Sequence, residues 1–155
     1  MQIEIDQSGK IENTSKDTVL ALSNRLQFSI IIPRKIKREI QIIFRKNKQP
    51  RNFVLFTFSA GLSILLHYAK PKHKVLIDKE YLGKEFIIKK HILETYKKEV
   101  IKPIISFGFI GKKSNSHRLA SLVVKKKLKP NIIVTKNELL KVIKMTEVGK
   151  QLKST

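Results

Sequence analysis

The sequence predicts a mixed α/β fold, in which a three-strand antiparallel meander precedes parallel strands that alternate with helices. Three runs near the N-terminus have the length and apolar content of strands: residues 2–6, 18–23 and 28–32. After Pro33 the apolar residues take helical spacing, and short β-branched runs return only between helical segments. The predicted order, β-β-β-α-α-β-α-β-α-β-α, implies a mixed sheet with helices on its faces.

The first strand is predicted from its alternation. Ile3 and Ile5 fall on one face of an extended segment, whereas Glu4 and Asp6 fall on the other. A Ser-Gly pair at residues 8–9 gives a turn signal soon after. We therefore expect Asp6 to close the first strand.

Helices and strands then alternate along the chain. Pro33 fits the first turn of a helix over residues 34–46, and residues 53–69 are apolar on most sides, as in a helix covered on both flanks. The remaining elements are predicted as a strand over 75–78, a helix over 83–100, a strand over 103–109, a helix from 114–116 to 127, a short strand over 132–134 and a helix over 136–144. Thr135 and Glu138 form a capping box for the last helix.

The length of 155 residues favours one domain, predicted over residues 1–145, with a flexible C-terminal tail over 146–155. The chain has no cysteine, which excludes a disulfide framework and a thiolate zinc site. Its first residues lack the layout of a signal peptide, and its longest apolar stretch is short for a membrane span. We expect a soluble, cytoplasmic protein with no membrane partner.

The charge balance indicates a polyanionic partner. Lys and Arg number 33 against 12 Asp and Glu, which gives a formal net charge of +21. Such a field attracts nucleic acid, DNA or RNA, mainly through backbone phosphates. A compositional bias toward lysine is the alternative explanation, although such a bias raises Glu as well in heat-adapted proteins.

Acidic residues are scarce, so their positions are informative. Asp6 and Asp78 end the first and fourth predicted strands, and Glu80 lies on the same face as Asp78 if the strand continues. Carboxylates that cluster repel one another, and Mg²⁺ or Mn²⁺ relieves that repulsion. The alternative is structural: Asp6 as a turn residue, and Asp78 and Glu80 paired with surface lysines.

The segments IEIDQSGKIE and VLIDKEY, placed around a meander, resemble the ribonuclease H-like superfamily, and are most similar to its Holliday-junction resolvase branch. The resemblance covers about residues 1–128. It implies a mixed sheet with a metal-binding Asp in the first strand, here Asp6, and an acidic residue at the end of the fourth, here Asp78, with Glu80 as a supplement. Members of that branch act as two-fold dimers, so the resemblance also implies a homodimer.

The segment GFIGKKSNSHRLASLV departs from the family pattern. It corresponds by layout to the final strand, loop and helix, where relatives carry an acidic ligand, but it contains no Asp or Glu. His117 stands at the helix start, and imidazole can bind a metal or transfer a proton. We therefore assign His117 to the site; without it, the alternatives are a one-metal enzyme or a binding protein that has lost catalysis.

Basic residues near these positions form the predicted nucleic-acid contacts. Lys112, Lys113 and Arg118 flank the helix start that carries His117, where backbone N–H groups also face a phosphate. A second group lies on the helix after Pro33 and is expected to form an exposed ridge: Arg34, Lys35, Lys37, Arg38 and Arg45.

Taken together, the sequence predicts a Mg²⁺- or Mn²⁺-dependent endonuclease that hydrolyses phosphodiester bonds, with branched DNA or RNA–DNA hybrid as structure-specific candidates. Two metal ions roughly 3.5–4 Å apart are the usual arrangement for this chemistry. Two alternatives stay open. One is a non-catalytic basic DNA- or RNA-binding protein, and the other is a ribosome-associated or assembly protein.

Overall fold

The computed structural model describes residues 2–154. The strands are β1 (Ile3–Ser8), β2 (Thr18–Ser23), β3 (Phe28–Ile32), β4 (Val75–Asp78), β5 (Ile105–Gly108) and β6 (Ile132–Ile133). The α-helices are α1 (Arg34–Lys46), α2 (Phe53–Ala69), α3 (Glu85–Glu94), α4 (Asn115–Val124) and α5 (Lys136–Ile143).

One mixed sheet organises the fold, with the strand order β5-β4-β1-β2-β3-β6. The β1–β2 and β2–β3 pairs are antiparallel, so the predicted meander is confirmed. The β1–β4, β4–β5 and β3–β6 pairs are parallel. The predicted mixed α/β sheet flanked by helices is therefore confirmed.

The two faces of the sheet are covered unequally. Ile3 and Ile5 of β1 point into the larger core, which buries apolar residues of α1, α2, α3 and α5. On the other face, Val19 and Ala21 of β2 pack against Leu119 of α4 in a smaller core. We call this second side the α4 face. Residues of β1 between those of the larger core, including Asp6, point toward it.

Helix α2 lies in the interior. Its residues from Phe53 to Leu66 are mostly buried, which explains why its sequence is apolar on every side. Gly61 permits the close approach of α2 to the sheet, because a Cβ there would lie 2.9 Å from Leu20 Cδ1 and 3.0 Å from Ile32 Cδ1. Within residues 2–154, Pro50–Ala69 is the one helical stretch with the length and apolar composition of a membrane span, and 67% of its apolar 18-residue window is buried inside the fold, as in a core helix.

Several element ends differ from the predicted ones for local reasons. The strand β1 continues to Ser8, so Asp6 lies inside it and does not close it. Helix α3 ends at Glu94, and the hydroxyl of the next residue, Thr95, donates to the carbonyl of Ile92 at 2.6 Å. Helix α4 ends at Val124, shortly before Lys126 takes a left-handed φ of 61°.

The C-terminal segment after α5, which the sequence predicts to be a flexible tail, packs onto the domain. Leu152 is 4% exposed and belongs to the larger core. Asn47 holds the same segment by accepting a hydrogen bond from the Lys153 N–H and donating one to the Lys153 carbonyl, both at 2.8 Å. In this structure residues 146–154 are therefore part of the packed domain.

Lys37 corrects the predicted ridge on α1. Arg34, Lys35 and Arg38 are exposed as expected, but Lys37 is fully buried. Its Nζ donates to the Asn13 carbonyl at 2.7 Å, to Thr18 Oγ1 at 3.0 Å and to the Lys10 carbonyl at 3.1 Å. Burial lowers the pKa of Lys37 to about 8. The buried ammonium thus holds the segment between β1 and β2 in place by hydrogen bonds to its backbone and to Thr18.

We expect Lys37→Met to lower the free energy of unfolding by about 1–3 kcal/mol, because it keeps the aliphatic volume but leaves three oxygen acceptors without their donor. Urea denaturation measures the change. Lys35→Met, on an exposed position of the same helix, is the control and should change stability by less than about 0.5 kcal/mol. Equal effects of the two substitutions would contradict a structural role for the buried ammonium.

Candidate metal centre

The centre is built on two neighbouring strands. In the parallel β1–β4 pair, Ile5 lies opposite Ile77, so the next residue of each strand, Asp6 and Asp78, come side by side. One oxygen atom from each of Asp6, Asp78 and Glu80 lies within 4.8 Å of the other two. We call these three residues the carboxylate cluster.

Glu80 reaches the cluster in a different way from the predicted one. The strand β4 ends at Asp78, so Glu80 is not on a strand face. Instead, the backbone turns back after the strand, and the Glu80 N–H donates to the Asp78 carbonyl at 2.9 Å. A turn rather than strand periodicity therefore brings its carboxylate to the cluster.

Asp6 is the most enclosed carboxylate of the three, with its residue 4% exposed. Its Oδ1 accepts the Gln7 N–H at 2.8 Å, and its Oδ2 lies 2.8 Å from Nδ1 of His117. Asp78 accepts the N–H of Ile110 at 2.7 Å. Each aspartate is thus held in place by a backbone donor.

Helix α4 places His117 beside Asp6. Ser114 caps the helix, and its hydroxyl accepts the His117 N–H at 3.1 Å. Leu119 and Ala120, on the buried side of α4, pack against β2 and fix the helix over the sheet. His117 therefore contacts the centre through Asp6, and its other ring nitrogen is not used by that contact.

The electrostatics of the cluster favour a bound cation. Burial raises the pKa of Asp6, and the charge of Asp78 adds to this, against the hydrogen bonds from His117 and Gln7. Burial, followed by the charges of Asp78 and Asp6, raises the pKa of Glu80 to about 7, whereas Lys10 acts in the opposite direction. Enclosed carboxylate oxygens with mutual repulsion are a donor set that fits Mg²⁺ or Mn²⁺.

The predicted nucleic-acid contacts fall into two groups. Lys112 and Lys113 are exposed in the loop before α4, and Arg118 is exposed on α4 itself. Arg34, Lys35 and Arg38 belong to α1, which starts where β3 ends. Because β3 runs in the same direction as β1, α1 starts at the end of the sheet where the cluster lies.

Some contributors to the centre have no counterpart in the sequence prediction. Lys10, which follows the turn at Gly9, lowers the pKa of Glu80 through its positive charge. The backbone donors of Gln7 and Ile110 hold the aspartates, and such donors leave no trace in residue type. For Lys10, the available signal in the sequence was its position just after the turn that follows β1, close to Asp6.

Comparison with protein-family models, with curated proteins and with solved structures gives no significant match to this chain.

The raised pKa of Glu80 predicts how the stability of the metal-free protein depends on pH. The folded state holds the Glu80 proton up to about pH 7, whereas the ordinary carboxyl value is 4.5. Stability is therefore lost as pH rises from 4.5 through 7, because the folded state must then ionise a carboxyl that it disfavours. We expect Glu80→Gln to melt at a higher temperature than wild type at pH 8 in EDTA, and the difference to vanish below pH 4.5.

Glu39→Gln is the matched control, because Glu39 lies on α1 with only a 4.0 Å contact to Lys136, and it should show no such gain. Saturating Mg²⁺ should stabilise wild type more than Glu80→Gln, because a ligand of the folded state raises its stability. A Glu80→Gln protein no more stable than wild type at pH 8 would mean that Glu80 is not held against the two aspartates.

Proposed function

We propose that this protein is a metal-dependent endonuclease of the ribonuclease H-like kind, which hydrolyses phosphodiester bonds in nucleic acid. The observation that carries the proposal is the approach of Asp6, Asp78 and Glu80 to within 4.8 Å in a chain with a net charge of +21. In a basic protein, three acids gathered at one point are costly unless they bind a cation.

The order of the strands and helices that carry the candidate residues supports the proposal. The resemblance implies an Asp in the first strand, an acid at the end of the fourth and a third group at the start of a late helix. Asp6, Asp78 and His117 occupy these positions, on β1, β4 and α4. Glu80 supplies the third carboxylate that α4 lacks.

Each residue has a distinct part in the proposed chemistry. A divalent cation held by the carboxylate cluster would activate water and stabilise the charge on the leaving oxygen. His117, at 2.8 Å from Asp6, orients that carboxylate. Lys112, Lys113 and Arg118 would hold the phosphate backbone without reading sequence. Arg34, Lys35 and Arg38 would extend that contact along α1.

The rival function is a non-catalytic DNA- or RNA-binding protein. One observation favours it: the helix position at which the resemblance implies an acidic ligand carries His117, and this residue bonds to Asp6 instead of joining the cluster. A protein of that kind would bind nucleic acid in a salt-dependent manner without using a metal.

A homodimer is part of the nuclease proposal, because two centres are needed to cut paired strands.

Replacing either aspartate is the direct test. We expect Asp6→Asn and Asp78→Asn to lower cleavage by more than about 100-fold, since loss of a partner outside the first coordination shell already costs 10–100-fold. Binding should persist or tighten, because each change removes a negative charge. Labelled four-way junction, duplex DNA and RNA–DNA hybrid are incubated with Mg²⁺ or Mn²⁺, and products are resolved by denaturing gel.

The matched control is Asp17→Asn. Asp17 accepts the Arg34 N–H at 2.8 Å through a side-chain oxygen, and the amide of Asn keeps that acceptor. This variant should cleave as wild type does. Salt-sensitive binding with no cleavage of any substrate by wild type would favour the rival function, and cleavage that survives both cluster substitutions would refute the proposed centre.

His117→Ala separates positioning from binding. We expect cleavage to fall by about 10–100-fold and the Mn²⁺ concentration for half-maximal activity to rise, because Asp6 loses the donor that orients it. Binding of a four-way junction, measured by fluorescence anisotropy, should stay within about threefold. If the Mn²⁺ dependence were unchanged, His117 would have no part in orienting Asp6 for metal binding.

A further inference from the structure

The strand β5 forms an open edge of the sheet. Among residues 2–154, it pairs with β4 and with no other strand. The Gly108 carbonyl faces β4, because it accepts the Lys79 N–H at 2.9 Å. Backbone groups of successive residues point to opposite sides of a strand, so the N–H and C=O groups of Ile105 and Phe107 point away from β4. The outer side of β5 is therefore able to pair with a further strand.

Exposed apolar side chains accompany this edge. Ile104 directly precedes β5 and Phe109 directly follows it, and both side chains are mostly exposed. Val100 and Ile101, just upstream, are almost fully exposed. The opposite edge strand, β6, has only two residues, and a strand that short offers few groups to pair. Exposed apolar side chains beside an unpaired edge mark β5 as an interaction surface.

The segment around β5 is cationic. Residues 97–113 contain five lysines and one glutamate, and all six are exposed: Lys97, Lys98, Lys102, Lys112, Lys113 and Glu99. The carboxylate of Glu99 lies 3.4 Å from Nδ1 of His67. Of the five lysines, Lys97 is the one with an ion pair within residues 2–154, to Glu147. The charge beside the edge is therefore left for an acidic partner.

We propose that β5 binds an extended, acidic segment of a partner protein, which adds to the sheet as a seventh strand. A peptide offers N–H and C=O groups in alternation, which match the outward groups of Ile105 and Phe107. Its apolar side chains cover Ile104 and Phe109, and its acids face the lysines of residues 97–113. The inference goes beyond the proposed function, because it needs neither a metal nor nucleic acid.

Two other occupants fit the edge less well. A second copy of the chain would bring the same lysines face to face, and lysine at an edge is a common guard against pairing between copies. Pro103 adds to that guard, because it has no N–H to pair. A nucleic-acid backbone is attracted by the lysines, but its phosphates have no donor for the outward carbonyls of Ile105 and Phe107.

The added strand holds the partner beside the carboxylate cluster. Gly108 lies opposite Asp78 in the β4–β5 pair. Neighbouring strands lie about 4.8 Å apart, so the added strand is about 10 Å from β4, with β5 between them. A partner that carries the acidic segment is thus anchored next to the centre.

Hydrogen exchange at single amides measures the pairing directly. The probe is a short synthetic peptide with alternating valine and threonine and with acidic residues at both ends. It is added to ¹⁵N-labelled protein in EDTA at low salt, which keeps the charge attraction unscreened. We expect saturating peptide to slow exchange of the Phe107 amide by at least about 10-fold, and to leave the Ser106 and Gly108 amides, which face β4, unchanged.

Two peptide controls separate backbone pairing from charge. The same peptide, methylated on the backbone nitrogens of its core, keeps every side chain and charge but loses its donors. Fluorescence anisotropy should show it to bind at least about 10-fold more weakly. A peptide with lysines in place of the acids should lose a similar factor, because it meets like charge at the edge.

Ile104→Ser and Ile133→Ser form a matched pair of protein variants. The two side chains are 63% and 65% exposed and stand beside opposite edges of the sheet. We expect Ile104→Ser to weaken peptide binding by about 3- to 10-fold and Ile133→Ser to leave it unchanged. Because both positions are exposed, thermal unfolding should be the same for both variants and wild type.

The inference would be overturned by absence of peptide binding, by an unchanged exchange rate at Phe107, by equal binding of the methylated peptide or by equal effects of the two isoleucine substitutions. Protection of the Phe107 amide that grows with protein concentration alone would assign the edge to a second copy. Protection by duplex DNA instead of the peptide would assign it to nucleic acid, and either result overturns the inference. None of these readouts depends on cleavage, so failure of the nuclease proposal would leave this one standing.

Discussion

The parallel pairing of β1 with β4 is the constraint on which the candidate centre depends. The two strands are separated in the chain by the meander and by α1 and α2, yet they lie side by side in the middle of the sheet. A parallel pair needs such a crossover, and the buried α2 provides it while filling the larger core. A shift of the pairing by one residue would move Asp78 to the opposite face, so the register that packs Ile5 and Ile77 also places the carboxylates.

The positive charge of the chain does not relieve the repulsion at the cluster. Exposed lysines farther away than about 10 Å are largely screened by salt, whereas the carboxylates interact at short range in a partly buried setting. The local balance therefore decides, and burial together with Asp78 and Asp6 raises the pKa of Glu80 to about 7 although the chain carries +21. A fold that keeps such a cluster gives up stability at that point, as functional sites commonly do. The same charges that fail to neutralise the cluster remain available to a polyanion.

Elements defined by period and capping were predictable from the sequence. The meander followed from three consecutive strand-like runs, the first of which alternates, and the capping box of Thr135 and Glu138 is present at the start of α5. Glu80 was correctly predicted to join the two aspartates, but the prediction that it shares a strand face with Asp78 was wrong, as was the prediction that Lys37 is exposed. A turn after β4 and an inward lysine both depend on contacts that the local sequence does not show. The position of a carboxylate could be predicted from strand order, but the backbone donors that hold it could not.

The two faces of the sheet differ in content: one holds most of the buried apolar surface, and the other holds the carboxylate cluster. On one face, four helices and the C-terminal Leu152 enclose the larger core, where most of the buried apolar surface lies. On the α4 face, a single helix packs on β1, β2 and β3, and it carries His117 to Asp6. Gly108 of β5 lies beside Asp78 on that face, toward the edge of the sheet, and a Cβ there would come within 3.0 Å of Leu76. Because glycine has no Cβ, no side chain of β5 stands directly beside Asp78, and the carboxylate cluster is built on the face of the sheet that holds the smaller core.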